Sequence, residues 1–290
     1  MEEPRHLDEF VAGRPHWWQW LTILSLDAPL VAVAWQRAIV ELAGARRDAA
    51  PTLVLGSSVW LAYTADRWIE GWRLEPGNVR TQRHWFHRRW RTPVAVIWLT
   101  VLAATITLSF TRLTARELEA GLILLLPVGV YLFSHQLVHR RNRWRAPKEI
   151  CVALLFVGGV ACFPSAEHTS AISVVLGPLA LFGLLCFADC ALISNWENEV
   201  DLSHGQTSLA IQFPGGRGYL RLLPWAVAVA AIATAPSAGR AGAVHYGAAA
   251  SGILLGLLDL FHRRLGRQLS RVLIDFALMT PFVFTLGIPP

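Results

Sequence analysis

Long apolar runs divide this chain more clearly than any other feature. Nine of them are 18–25 residues long or close to it, at 18–40, 51–71, 93–111, 117–138, 147–164, 171–195, 219–236, 241–260 and 268–287. A helix needs about 20 predominantly apolar residues to cross the hydrocarbon core of a bilayer. The runs therefore predict an all-α, multi-pass bundle of nine transmembrane helices, formed by residues 1–290 as a single membrane-embedded domain.

The composition argues against a soluble protein. Of the 290 residues, 54% are hydrophobic and only 16% are charged, whereas soluble domains carry about 25% charged residues. The formal net charge is +6, which in a soluble protein would suggest a nucleic-acid partner. In a membrane protein the same excess follows from the basic residues of cytoplasmic loops, so we expect no nucleic-acid partner.

The basic residues also predict the orientation of the chain. Eighteen lie in the N-terminal segment or after even-numbered runs, and five lie after odd-numbered runs. This bias predicts a cytoplasmic N-terminus and an exterior C-terminus in an inner cell membrane. The stretch "RHWFHRRWR" (83–91) interleaves aromatic and basic residues and is interpreted as an anchor at the headgroup level.

Two acidic pairs occur where apolar runs end on the predicted cytoplasmic side. Asp66 and Glu70 close the second run, within "LAYTADRWIEGW", and Glu197 and Asp201 follow the sixth. Residues four positions apart share a helix face, so each pair can converge on one ligand. Like charges gathered in this way favour a bound cation, and Mg²⁺ prefers oxygen ligands and substrate phosphates. The alternative is that these acids are ordinary helix-end residues in contact with water.

The pattern, taken across both pairs, predicts a Mg²⁺–diphosphate site above an apolar cavity. Planar guanidinium groups can engage two phosphate oxygens at once, and basic residues flank both acidic pairs. A diphosphate head bound over an apolar interior corresponds to a lipid diphosphate.

The stretch "NWENEVDLSHGQTSLA" (195–210) resembles the second motif of the UbiA-type intramembrane prenyltransferases, N-x-x-x-D-x-x-x-D-x-x-x-G-K-x-T-L-A. The motif's two acids, glycine, lysine, threonine, leucine and alanine correspond to Glu197, Asp201, Gly205, Gln206, Ser208, Leu209 and Ala210. The family's first motif, N-D-x-x-D-x-x-x-D, is degraded. Its last two acids are matched by Asp66 and Glu70, but Ala62 and Tyr63 replace the leading Asn-Asp.

The resemblance implies a chemistry and a set of residues. An isoprenyl diphosphate held by Mg²⁺ would ionise, and a lipophilic, in most cases aromatic, acceptor would capture the allylic cation. By resemblance the metal ligands are Asp66, Glu70, Glu197 and Asp201, with Asp66 and Asp201 as catalytic residues. Candidate diphosphate contacts are Arg73, Arg80, Arg83, Arg140, Arg141, Lys148 and Gln206. Possible accessory residues are Asp189, Tyr63 and Asn195.

Three other functions remain open at this point. A terpene cyclase of the same family would ionise the diphosphate and cyclise the cation without an acceptor. A non-catalytic lipid-binding or transport protein on the same scaffold would explain the altered first motif. An unrelated secondary transporter is disfavoured because the chain has no detectable internal repeat.

Overall fold

The computed structural model describes residues 15–45, 47–73, 81–134, 147–167, 172–203 and 207–285. Within these ranges every regular element is a helix. The helices longer than one turn that are discussed below are α1 (Asp27–Ala43), α2 (Ala49–Arg73), α3 (Gln82–Arg89), α4 (Arg91–Arg112), α5 (Ala115–Phe133), α6 (Lys148–Glu167), α7 (Ile172–Trp196), α8 (Leu223–Thr234), α9 (Gly242–Leu265), α10 (Arg267–Ala277) and α11 (Thr280–Thr285).

The helices form a membrane bundle. Five helical stretches in the described residues are long and apolar enough to cross a bilayer: Arg91–Arg112, Lys148–Ala166, Ile172–Trp196, Pro214–Ser237 and Gly239–Leu265. A bent pair near the N-terminus would make a sixth. The outer surface agrees with this setting, because α4 and α5 expose large apolar side chains such as Phe110 and Leu126. The described residues therefore form an all-α bundle whose helices suit a membrane by length and composition, and the count of nine spans stays a prediction.

Two of the predicted spans, those formed by α2 and α5, do not qualify as spans by length and composition. Helix α2 carries Asp66, Arg67 and Glu70 in its second half, and α5 begins with Arg116 and Glu117. Charges inside a spanning helix are costly unless they face a protein interior. In α2 all three line an internal cavity, so these charges do not face lipid.

The first and last apolar runs are each interrupted. The run at 18–40 is bent by 77° between Trp17–Ile23 and Asp27–Ala43, where Ser25 has a φ of 57°. The run at 268–287 divides into α10 and α11 around Leu278. The first break begins α1 at Asp27 and brings this carboxyl group into the interior, where it is buried.

Aromatic side chains fill the middle of the bundle. Trp35 of α1 stacks on Phe182 of α7 with ring centroids 4.5 Å apart. Phe156 of α6 contacts both Phe182 and Tyr63 edge-on. The indole N–H of Trp35 donates to the Leu278 carbonyl at 2.8 Å, which pairs the polar atom of a buried ring. Tyr63, at the edge of this packed layer, lines the cavity described next.

Candidate functional site

A cavity of about 170 Å³ opens at one end of the bundle. The C-terminal ends of α2 and α7 and the N-terminal ends of α6 and α10 contribute its walls. Among the described residues the acidic lining side chains are Asp66, Glu70, Glu149, Asp189, Glu197, Asp201 and Asp275, and the basic ones are Arg67, Arg83, Lys148 and Arg271. All four carboxylates assigned by resemblance thus lie at the same cavity, although Asp66 and Asp201 are 135 positions apart in the chain.

Three of the four predicted metal ligands already have cationic or imidazole neighbours. Arg83 Nη2 donates to Glu197 Oε2 at 2.9 Å. His84 Nε2 lies 3.0 Å from Glu70 Oε2, and Lys148 Nζ lies 3.7 Å from Asp201 Oδ2. The carboxylates are therefore held apart in separate pairs. Asp66 also lines the cavity, on the same face of α2 as Glu70.

The two acids after α7 differ electrostatically. Burial alone raises the pKa of Glu197, but Arg83 and other nearby guanidinium groups outweigh it and bring this pKa to about 2. Burial raises the pKa of Asp201, and Lys148 only partly offsets this because Glu197 adds a like charge. The mouth of the cavity therefore combines a firmly ionised Glu197 with an Asp201 that gains from a further cation.

Helix α3 covers one side of the cavity. Its N-cap is Thr81, whose side chain accepts from the His84 amide. His84 and His87 are both buried, and Gly71 of α2 permits the close approach, since a Cβ there would lie 3.2 Å from the His84 carbonyl oxygen. Helix α3 is thereby fixed so that Arg83 faces the cavity.

The aromatic and basic stretch that contains α3 has two faces, not one. Trp85 and Trp90 are exposed, as an interfacial anchor requires. The opposite face holds His84, His87 and Arg83 against the bundle. The anchor interpretation therefore describes half of this element, and the sequence pattern alone did not separate the two halves.

Arg67 is a cavity residue that the sequence analysis missed. Its side chain is only 6% exposed and lines the cavity. In the described part of the chain no carboxylate lies within ion-pair distance of it, and its Nε has no hydrogen-bond partner. Its guanidinium instead lies 5.8 Å from the centre of the Tyr63 ring. A buried guanidinium without an anion is costly, so Arg67 is suited to an anionic ligand.

The segment 207–210, which carries the end of the UbiA-like motif, is attached to the bundle by two side chains. Glu149 Oε1 accepts from the Leu209 amide at 2.9 Å. Ser194 Oγ accepts from the Ala210 amide at 3.4 Å, and Ala210 is fully buried. The segment therefore returns the chain over α6 and α7. Glu149, which the sequence analysis did not single out, orders this return.

A further polar group lies deeper in the cavity. Asp189 of α7 and Asp275 of α10 both line it, and Arg271 Nη1 donates to Asp275 Oδ2 at 2.7 Å. Asp27 of α1, a helix that packs against α10, is also buried. Asp189 was predicted as accessory. No role was predicted for Asp27, Asp275 or Arg271.

The remaining predicted contacts divide into two groups. Tyr63 lines the cavity, but Asn195 is not among the lining residues. Arg80, Arg140, Arg141, Gln206 and the side chain of Arg73 lie outside the described residues. Their predicted contacts with a diphosphate stay predictions.

The donor set suits Mg²⁺ in chemistry but is not gathered into a finished metal site. In the ranges that the structure describes, no three His, Cys, Asp or Glu side chains converge closely enough to hold an ion. The donors are nevertheless hard carboxylate oxygens, and the buried Asp201 Oδ2 has no hydrogen-bond donor among the described residues. Residues of this kind can bind Mg²⁺ together with phosphate oxygens, because the ion usually retains substrate or water ligands.

Comparison with solved structures identifies one fold relative. The chain matches the apo structure of a UbiA homolog from Aeropyrum pernix K1 with a TM-score of 0.57 and 15% sequence identity, covering 90% of this chain and 98% of that one. No family model matches the sequence, and no curated protein matches it. The chain therefore has the fold of a UbiA homolog, and the match at this identity concerns the fold.

Proposed function

We propose that this protein is a Mg²⁺-dependent membrane prenyltransferase. It would move an isoprenyl group from an isoprenyl diphosphate to a lipophilic, in most cases aromatic, acceptor and release diphosphate. The observation that carries the proposal is the cavity itself, in which the buried Arg67 guanidinium has no acidic partner among the described residues and lies beside both predicted carboxylate pairs. We further propose nine spans, with the cavity on the cytoplasmic side of an inner cell membrane.

The charge of the cavity supports a metal-bound diphosphate. Its described lining has more carboxyl than basic groups, and a diphosphate adds further negative charge. Binding is therefore favourable only if cations enter with it. Divalent ions meet this need, because they can bridge carboxylate and phosphate oxygens.

The basic residues are assigned to the diphosphate and the acids to the metal. Arg67 is already free to receive phosphate oxygens, and Arg83 and Lys148 can turn from their carboxylate partners once those carboxylates bind Mg²⁺. Asp66, Glu70, Glu197 and Asp201 would hold the ions, which neutralise charge on the leaving diphosphate. Arg67 and Arg83 would also stabilise the charge on the leaving diphosphate, through hydrogen bonds donated by their guanidinium groups.

The reaction requires one bond to break and one to form. The allylic C–O bond breaks, and its electron pair leaves with the diphosphate. An acceptor electron pair then forms the new bond to the allylic carbon, and the acceptor loses a proton. Helix α3 covers one side of the cavity, and Val152 and Ile193 line it with apolar surface. Exclusion of water is needed because water would capture the cation.

Diphosphate release tests the proposal directly. Purified protein in nanodiscs would be supplied with geranyl, farnesyl or geranylgeranyl diphosphate and a panel of aromatic acceptors, with Mg²⁺ or with chelator. We expect acceptor-dependent release and a prenylated product with Mg²⁺ alone. Asp66→Asn, Asp201→Asn and Arg67→Gln should lower release at least 100-fold, and the exposed Glu119→Gln should leave it unchanged.

The outcomes distinguish the alternatives. A cyclised product formed without acceptor would show that the protein is a terpene cyclase and not a prenyltransferase. Binding of a thiolodiphosphate analogue without turnover of any substrate would favour a non-catalytic lipid-binding protein. If the analogue bound neither wild type nor Glu119→Gln, the diphosphate site itself would be refuted.

A further inference from the structure

A second polar subsite lies in the same cavity, below the predicted diphosphate site. Asp189 precedes Glu197 by eight residues on α7, which places it about 12 Å deeper along the helix. At this depth the surroundings are the apolar interior of the bundle. A carboxyl group is costly to bury at this depth, so the hydrogen-bond partners of Asp189 indicate what role it has.

The Asp189 side chain lacks a full set of partners. It is 5% exposed and faces the cavity, and its Oδ1 receives no hydrogen bond from any residue that the structure describes. A buried acceptor left in this state is less stable than one that is paired. A ligand that donates a hydrogen bond would recover this loss.

The neighbours of Asp189 do not supply that donor. The nearest guanidinium, Arg271, donates to Asp275 at 2.7 Å. Asp27 Oδ1 accepts from the Ala28 amide at 3.0 Å, and its Oδ2 receives no hydrogen bond from the described residues. Helices α1, α7 and α10 pack against one another. They leave three carboxyl groups around one guanidinium, so the subsite has an excess of acceptors.

An excess of acceptors selects the chemistry of the ligand. A carboxylate-bearing molecule would be repelled here, and an ether or hydrocarbon would leave Asp189 unpaired. A hydroxyl or amino group would donate to it in a charge-assisted hydrogen bond, which is about twice as strong as a neutral one. No three of the described acidic, histidine or cysteine side chains converge on a metal position here.

We propose that Asp189 binds a hydroxyl or amino group of the acceptor substrate, and that Asp27, Asp275 and Arg271 position it. This inference rests on the proposed function, since it names the class of acceptor for the same cavity. Acceptors would be neutral or cationic aromatic molecules with a hydrogen-bond donor that reaches inward. The diphosphate would occupy the outer part of the cavity, near Arg67, Arg83 and Lys148.

Binding of a matched pair of probes tests the subsite without turnover. The probes are 1-naphthol and 1-methoxynaphthalene, which differ in the hydrogen-bond donor. Each would be titrated calorimetrically into nanodiscs that contain the protein, Mg²⁺ and farnesyl thiolodiphosphate, with lipid-only nanodiscs subtracted. Wild type should bind 1-naphthol at least 10-fold more tightly than its methyl ether.

Variants of Asp189 test whether this residue causes the preference for 1-naphthol. Asp189→Leu removes the acceptor and should abolish the preference, whereas Asp189→Asn keeps an oxygen acceptor without charge and should retain a smaller one. Asp48→Asn, at an exposed carboxylate outside the cavity, should behave like wild type. Thiolodiphosphate binding by Asp189→Asn reports that the variant is folded.

Two results would overturn the proposal. One is the absence of a 1-naphthol preference in wild type, including failure of both probes to bind. The other is a preference that persists in both Asp189 variants. If wild type binds the thiolodiphosphate and shows no preference, only the acceptor subsite fails. If wild type does not bind the thiolodiphosphate at all, the proposed function fails first.

Discussion

Arg83 Nη2 and Glu197 Oε2 lie 2.9 Å apart, although the two residues are 114 positions apart in the chain. The contact joins α3 to the residue that ends α7. Both side chains are largely buried, at 15% and 10% exposed, so the pair is screened from solvent far more than a surface ion pair. It connects the covering helix to the predicted metal ligands.

Removing Arg83 should weaken the anion site more than the fold. Arg83→Gln takes away a guanidinium that is proposed to turn towards the diphosphate, and it leaves Glu197 buried without its partner. We expect the Kd for farnesyl thiolodiphosphate with Mg²⁺ to rise at least 10-fold. The exposed Arg89 on the same helix provides the control, and equal effects of Arg83→Gln and Arg89→Gln would contradict the assignment.

Glu149 should be needed for the order of segment 207–210. Glu149→Ala leaves the Leu209 amide without its acceptor, which costs about 1–3 kcal/mol for a buried donor. Hydrogen–deuterium exchange of peptides covering 207–212 is expected to accelerate at least 10-fold. Glu149→Gln keeps an oxygen in place and should exchange almost as slowly as wild type. Equal exchange in the alanine variant and wild type would mean that the contact does not order the segment.

His87 should make the protein sensitive to acid. Burial lowers its pKa to about 4, whereas an unfolded histidine titrates near 6.5. Between these values the unfolded chain binds the extra proton, so stability falls as the pH drops from about 6.5 towards 4. His87→Gln removes this contribution, and Tm measured from pH 7.5 to 4.5 should fall less steeply than in wild type. His16→Gln, at an exposed position, should retain the wild-type slope; an unchanged slope in His87→Gln would refute the prediction.

Gly252 should be intolerant of a side chain. A Cβ at this position of α9 would lie 2.7 Å from the Pro224 carbonyl oxygen and 3.0 Å from the Ala228 Cβ of α8. Small residues permit such close helix packing in membranes, and overpacking typically costs about 1–3 kcal/mol. Gly252→Ala is expected to lower Tm by several degrees.

Gly129 of α5 is the matched control for Gly252. No atom of the described residues lies within 4 Å of the position where its Cβ would stand, so Gly129→Ala is expected to gain helix propensity, by about 1 kcal/mol at most, without a clash. Its Tm should equal or exceed that of wild type. A fall of the same size in both alanine variants would show that close packing is not the cause.

Local sequence patterns were sufficient to predict the helices and part of the site. The i,i+4 pairs Asp66/Glu70 and Glu197/Asp201 were expected at one end of the bundle, and the structure brings all four to one cavity. Their roles as metal ligands stay predictions. Arg67 was missed because it directly follows an acid, Asp66, in the sequence, and such neighbours can neutralise each other. Only the side-chain positions show that no described carboxylate forms an ion pair with Arg67.

The sequence by itself indicated that this protein lies in a lipid bilayer and which faces of its helices are apolar, because hydropathy and 3.6-residue periodicity are local properties of the chain. The tertiary structure alone decided which charges meet. The bend at Ser25 turns Asp27 inward, α10 brings Asp275 and Arg271 beside Asp189, and α3 folds back so that Arg83 reaches Glu197. These contacts join residues that are distant in the chain, so they depend on how the helices pack and not on any pattern within one of them.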